Sequence, residues 1–216
     1  MDLERLLSLQ NGSDIRGVAM GVSATLDGDV AGCLGRAFGM QLRCRTGKLR
    51  PLVTVGYDSR LTGPQLAQAF GDGLAAEGCR VLMTGLSSTP SMFMSCVDEL
   101  PAADGAVIVT ASHLPGDRNG FKFFTRAGGV SAEDITELLQ QAAVCEPPHQ
   151  QLAHEVLPYL PRYADFLRAQ ICNWTGMDRP LEGLRILVDA GGGSGGFYAS
   201  MVLQRLGADE IGRAHV

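Results

Sequence analysis

The chain has 216 residues, 45% of them hydrophobic and 19% charged, with a formal net charge of −5. That balance describes a globular chain with material for a core and excludes intrinsic disorder, while the acidic sign argues against a nucleic-acid or anionic-membrane surface. No apolar run approaches the ~18–20 residues that span a bilayer, and the start, Met1-Asp2-Leu3-Glu4, is acidic where a targeting peptide would be basic.

In chain order, the polar, glycine-bounded stretch 11–17 reads as a turn into a strand, with Asp14 and Arg16 in solvent. The β-branched run 52–57 is a strand, and Asp58-Ser59-Arg60 turns the chain as ordinary turn or cap residues. Thr62 and Gln65 have capping-box spacing and open an amphipathic helix that ends at Gly78. A strand follows at 81–83, then a helix over 89–100 with Pro90 in its first turn. Residues 106–109 and 120–124 are two more strands, and Ser131 with Asp134 brackets a helix running to about Ala143. Strands alternating with helices predict an α/β sheet with helices on both faces.

The paired prolines of 145–150 break the pattern and mark a linker, flanked by His149 and His154 in solvent. A helix over 161–172, a buried strand over 184–189, the glycine run 191–196 and a helix over 197–206 then begin a second α/β domain. That strand has no partner before the chain stops. The expected organisation is domain I at 1–145, a linker at 146–160 and a partial second domain at 161–209. Trp174 and Met177 are read as covering a domain edge. The six cysteines show neither C-x-x-C nor zinc spacing and read as reduced, mostly buried small hydrophobes.

Two segments carry chemistry. In the first, a fully apolar strand delivers Ser112 and His113 to a loop at its carboxyl end, the edge of an open α/β sheet where ligands bind. The return strand presents Lys122, and Arg16 is a possible fourth member. A hydroxyl nucleophile, a base and cationic surroundings are what phosphoester chemistry needs; a polar connector whose Ser and His bond backbone is the plain alternative. In the second, the run 191–196 satisfies both G-x-G-x-x-G and, from Gly192, G-x-S-x-G. Near-polyglycine fits almost any glycine pattern, so a tight turn bringing helix close to sheet is the favoured reading, with nucleotide binding as the rival.

Four motifs then occur in order: Ser-Asp-Ile-Arg-Gly at 13–17, Val-Gly-Tyr-Asp-Ser-Arg at 55–60, Thr-Ala-Ser-His-Leu-Pro at 110–115 and Asn-Gly-Phe-Lys at 119–122. Together they resemble the α-D-phosphohexomutase family of phosphoglucomutases and phosphomannomutases. The resemblance runs from about residue 11 to 209, and 185–196 resembles the opening of the family's second domain. It implies a three-layer α/β/α sandwich on a mixed sheet followed by an incomplete second α/β domain. It also implies an isomerase, an intramolecular phosphotransferase of carbohydrate metabolism that interconverts hexose 1- and 6-phosphates through a phosphoserine and a sugar bisphosphate. By the same resemblance Ser112 is the phosphorylated residue and, through its phosphate, a ligand of Mg²⁺. Lys122 is the general acid/base, His113 lines the site and Arg16 holds the phosphate. Leu114 stands where the family usually has Asn, which leaves substrate preference open.

The Asp-rich Mg²⁺ loop, the sugar-selecting loop and the phosphate-gripping loop of the family's later domains have no counterpart in 1–216. The chain is therefore read as a fragment, inactive alone, with 210–216 a non-native tail. Its expected partners are glucose or mannose phosphates, with no nucleic acid and no membrane. The expected compartment is the cytoplasm, or a plastid if a transit peptide has been lost. A catalytically silent relative and a dinucleotide-binding protein using 191–196 are the alternatives.

Overall fold

In the computed structural model, which describes the backbone of residues 1–214 and the side chains of 1–209, the chain divides into two units that meet between Leu157 and Pro158. The first runs α1 (Leu3–Leu7), β1 (Gln10–Asn11), β2 (Asp14–Val18), α2 (Gly28–Thr46), β3 (Leu52–Tyr57), α3 (Gly63–Ala76), β4 (Arg80–Leu86), α4 (Thr89–Val97), β5 (Gly105–Val109), β6 (Arg118–Thr125), β7 (Gly128–Gly129), α5 (Ala132–Ala143) and β8 (Glu155–Val156). The sheet order is β1-β2-β6-β5-β3-β4-β8, with β7 paired to β6. β5, β3, β4 and β8 run parallel, while β6 is antiparallel to both β5 and β2, so the sheet is mixed.

Alternation along the strands builds two cores. Val53, Val55, Val107, Val109, Phe121 and Phe123 face α1, α2, α3 and α5, where Phe38 and Phe70 join the two strand phenylalanines in an aromatic cluster. Ala106, Ile108 and Phe124 face the other way, onto Met92 and Cys96 of α4. Helices on both faces make the three-layer sandwich. Burial pushes the Cys33 and Cys79 thiols up to about 11 and the Cys96 thiol to about 12, whereas Cys44 is exposed.

The 19-residue α2 is the largest element that periodicity does not disclose. Asp27 caps it by accepting from Val30 N at 2.9 Å, and Gly47 ends it in the left-handed region at φ 67°. Its interior glycines disfavour a helix locally. Tertiary packing overrides that preference. A Cβ on Gly35 would be driven into the Phe70 carbonyl, and one on Gly73 of α3 into the Gly32 carbonyl. The two helices thus cross backbone against backbone.

Several expectations need correction. Thr62 makes no side-chain cap at α3; its hydroxyl accepts from Asn119 Nδ2 at 2.9 Å instead. The expected linker packs on the first unit: Pro148 lies against Gly32, Leu152 N donates to Asp72 Oδ1 at 3.0 Å, and β8 adds to the sheet beside β4. Backbone hydrogen bonding, which proline spacing does not report, moves the boundary from 145 to 157. The His154 side chain, expected in solvent, is only 5% exposed there, with Nε2 bonded to Asp72 Oδ1 at 2.8 Å.

The second unit contains α6 (Leu160–Thr175), β9 (Arg185–Asp189), a 3₁₀ turn (Ser194–Gly196), a π-helical turn (Tyr198–Leu203), another 3₁₀ turn (Gln204–Leu206) and β10 (Asp209–Ala214). β9 alternates between exposed and half-buried positions instead of being buried, and its partner is the parallel β10. The expectation of an unpaired strand is therefore overturned by the backbone of 209–214. Of the tail read as non-native, residues 215 and 216 lie outside the described residues. Trp174 and Met177 are 81% and 56% exposed, so neither is buried against an edge among the described residues. Gly191 and Gly192 take φ of 54° and 69° with open space around them, so they are needed for backbone conformation and make no close helix–sheet contact.

Candidate active site

The parallel strands β3 and β5 end side by side, which places Asp58 beside Thr110 at the carboxyl edge of the sheet. Asp58 N donates to Val109 O at 3.0 Å. The Asp58 carboxylate accepts from Thr110 Oγ1 at 2.6 Å and from Arg60 N at 3.0 Å, and lies 3.3 Å from Arg60 Nε. Thr110 Oγ1 in turn accepts from Ser112 N at 3.0 Å. A short relay therefore fixes the backbone of Ser112 to the end of β3.

Arg60 does the rest of the loop building. Its Nη1 donates to Pro115 O at 2.6 Å and Arg118 O at 2.9 Å, and its Nη2 to Ser112 O at 2.9 Å and Leu114 O at 2.6 Å. One planar guanidinium, its side chain only 11% exposed, thereby holds four carbonyls of the loop 112–118. Guanidinium suits this role because its donors are rigidly splayed and always charged. Ser112 sits at φ 57°, strained for a residue with a Cβ, and the bonds on either side of it maintain that conformation. Its side chain is exposed, and its hydroxyl has no hydrogen-bond partner among the described residues.

On the neighbouring strands a second charged group forms at the root of the loop. Arg16 of β2 crosses Gly120 of β6 and donates through Nη1 to Thr110 O. Its Nη2 donates to Asp14 Oδ2 at 2.9 Å, and the same oxygen accepts from Lys122 Nζ. Arg16 and Asp14 side chains are 10% and 17% exposed, so the turn reading with both in solvent is corrected. Gly120 makes the crossing possible: a Cβ there would strike Ile15 O and lie 2.8 Å from Arg16 Cδ and 3.0 Å from Thr110 O. Asn119, fully buried, closes the loop by donating to Thr62 and accepting from Gly120 N at 2.9 Å.

Of the four residues singled out from the sequence, Arg16 and Lys122 are thus brought together through Asp14, at the base of the loop that presents Ser112. His113 is exposed beside Ser112 and makes no hydrogen bond among the described residues. Asp14, Asp58 and Arg60 read as turn residues in the sequence, and Asn119 only as part of a motif; the structure makes each a structural member of the site. The signal for Arg60 was a charged pair immediately after an apolar parallel strand, where charge is rarely placed without a partner.

The four motifs all lie within the residues that the comparison to known sequences matches. The profile described as phosphoglucomutase/phosphomannomutase, alpha/beta/alpha domain I, matches residues 8–145. The chain belongs to this family. It is 32% identical over 198 residues to a phosphomannomutase/phosphoglucomutase of Pseudomonas putida, covering 92% of this chain and 40% of that protein. It is also 32% identical over 200 residues to a phosphoglucosamine mutase of Symbiobacterium thermophilum, covering 91% of this chain and 43% of that protein. The crystal structure of a phosphoglucomutase/phosphomannomutase family protein from Burkholderia thailandensis superposes with a TM-score of 0.75 at 31% identity, over 99% of this chain and 44% of that one. The chain spans about two fifths of the length of the curated relatives it matches.

Mg²⁺, implied by the phosphohexomutase resemblance, does not fit the residues of this chain alone. Ser112 offers one oxygen, and no group of three His, Cys, Asp or Glu side chains converges among the described residues. An octahedral Mg²⁺ shell is built from carboxylates, phosphate oxygens and water, and this chain does not supply that set. No helix among the described residues is long and apolar enough to cross a membrane.

The Arg60 grip gives a prediction. Arg60→Met removes the cation from four carbonyls and leaves Asp58 without its ion pair. Bonds to a charged donor contribute ~1.5–3 kcal/mol each where water is excluded. Water can reach an exposed loop, so the net loss of stability should be about 2 kcal/mol by the same scale. Amide hydrogen exchange at Ser112, Leu114 and Arg118, the bonded amides of the loop, should accelerate while the rest of β5 and β6 keeps its protection. Unchanged exchange in that loop would show that Arg60 does not hold it.

Proposed function

We propose that this chain is the phosphoryl-carrying domain of a phosphohexomutase, with Ser112 the carrier. The observation that supports the reading is the constrained, exposed Ser112: a hydroxyl held at positive φ by Arg60 and Thr110, above a root that contains Arg16 and Lys122. In the proposed reaction a free hydroxyl of a hexose phosphate attacks the phosphorus of phospho-Ser112. The new phosphorus–oxygen bond forms as the bond to Ser112 Oγ breaks. The proton of the sugar hydroxyl passes by way of Lys122, acting as general acid/base, to the departing Ser112 oxygen, so the step is proton-neutral. The resulting sugar bisphosphate then returns its other phosphoryl group to Ser112 by the reverse steps. His113 lines the entrance, and Arg16 neutralises charge at the loop root. Phosphoryl transfer depends mainly on such positioning and charge neutralisation.

The names of the relatives support hexose phosphates as substrates: glucose and mannose phosphates, with glucosamine phosphate added by the phosphoglucosamine mutase. The test uses the full-length enzyme incubated with a hexose bisphosphate. Peptide mapping by mass spectrometry should find one phosphoryl group on the peptide containing Ser112. Added hexose 6-phosphate should then remove it. Phosphorylation at a different residue, or a phosphoserine that no hexose phosphate discharges, would refute the assignment.

A further inference from the structure

The register of β2 on β6 sets Asp14 directly opposite Lys122, with Arg16 opposite Gly120 on the same face. A single oxygen, Asp14 Oδ2, accepts from both Arg16 Nη2 at 2.9 Å and Lys122 Nζ. The three side chains, Asp14, Arg16 and Lys122, are 17%, 10% and 25% exposed, so water and salt screen this group less than a surface pair. Arg16 is fixed at its far side by Thr110 O. Lys122 has no second anchor: Asp14 is the only residue its ammonium bonds among the described residues. Its stem is flexible, and the cation beside it repels it. Without the Asp14 carboxylate, no other described residue would hold the Lys122 ammonium at the root of the Ser112 loop.

We infer that Asp14 is a positioning residue for phosphoryl transfer, acting through Lys122. The inference rests on the proposed role of Ser112 as phosphoryl carrier. Asp14 does not take up the sugar's proton and does not contact the transferred group. It fixes where the Lys122 donor stands, and it keeps two like charges close enough to act on one phosphate. A displaced acid loses rate steeply, by up to ~10²-fold for an ångström.

The test is a double-mutant cycle in the full-length enzyme, using Asp14→Asn, Lys122→Met and the pair together. Asp14→Asn keeps the shape and removes the charge; kcat should fall about 10- to 100-fold while KM changes little, since the carboxylate touches no substrate. Lys122→Met should lower kcat about 10²–10⁴-fold. The double variant should be no slower than Lys122→Met alone, because contacting residues that act as one unit are not additive. Multiplying effects, or parental kcat in Asp14→Asn, would overturn the inference. If Asp14→Asn melts well below the parent, Asp14→Glu, which keeps the charge and shifts the carboxylate, takes its place in the cycle with the same two outcomes. Ser112→Ala measured alongside keeps the two readings apart. Parental turnover there would overturn the phosphoserine assignment. Lost turnover there with a multiplicative cycle would overturn only the role of Asp14.

Discussion

Full-length enzyme carrying Ser112→Ala is expected to lose turnover by on the order of 10⁵-fold or more, as nucleophile knockouts in covalent catalysis do. The loss should come without unfolding. The Ser112 side chain is exposed and its hydroxyl bonds nothing among the described residues, while its backbone N and O carry the contacts to Thr110 and Arg60. Alanine keeps those contacts, so stability should stay within about 0.5 kcal/mol of the parent. Steady-state turnover and thermal unfolding measured on the same preparation check both halves. Activity within tenfold of the parent would remove Ser112 from the chemistry. Equal loss of structure and activity would mean that the residue acts through folding.

A second large effect is expected from Gly120→Ala. The added methyl group cannot be absorbed by a flexible side chain, because its closest neighbour is the Ile15 carbonyl across the β2–β6 ladder. Either β2 moves off β6, breaking ladder bonds, or Arg16 abandons its path over residue 120 to Thr110 O. Overpacking in a filled site costs about 1–3 kcal/mol, and more when backbone must shift. We expect the upper end, above about 3 kcal/mol, and, in the full-length enzyme of the proposed function, a turnover far below the folded fraction because Arg16 and Lys122 lose their common geometry. Denaturant titration and activity per folded molecule provide the test. A variant with parental stability and parental specific activity would show that the strand crossing tolerates a side chain.

The central strands β3 to β6 were legible because their residues obey short-range rules, whereas the two-residue strands β1, β7 and β8 were not. The run 52–57 is β-branched, 106–109 is wholly apolar, and Ser131 with Asp134 forms the capping box that its spacing predicts. The phosphohexomutase family and the loop carrying Ser112 were legible for a similar reason, since each motif is contiguous. What stayed hidden depends on residues far apart in sequence. α2 is stabilised through glycines whose value appears only where α3 crosses them. The segment 146–157 belongs to the first unit through Asp72, about eighty positions away, and through pairing with β4. Arg60 reads locally as a turn residue, and its four acceptors lie more than fifty residues downstream. Asp14 looks like a solvated turn carboxylate until β6 folds against it.

The loop wound around Arg60 also has a polarity. In a trans peptide plane the N–H points opposite the carbonyl. With the carbonyls of Ser112 and Pro115 drawn inward to the guanidinium, the N–H groups of His113 and Gly116 are turned outward, and neither has a partner among the described residues. Four carbonyl oxygens thus point to the hub and two N–H groups to the rim, with a permanent cation keeping those four oxygens in place. On a chain whose overall charge is −5, these two outward N–H groups are a small patch of donor character, set by an arginine whose own charge is turned inward and mostly covered.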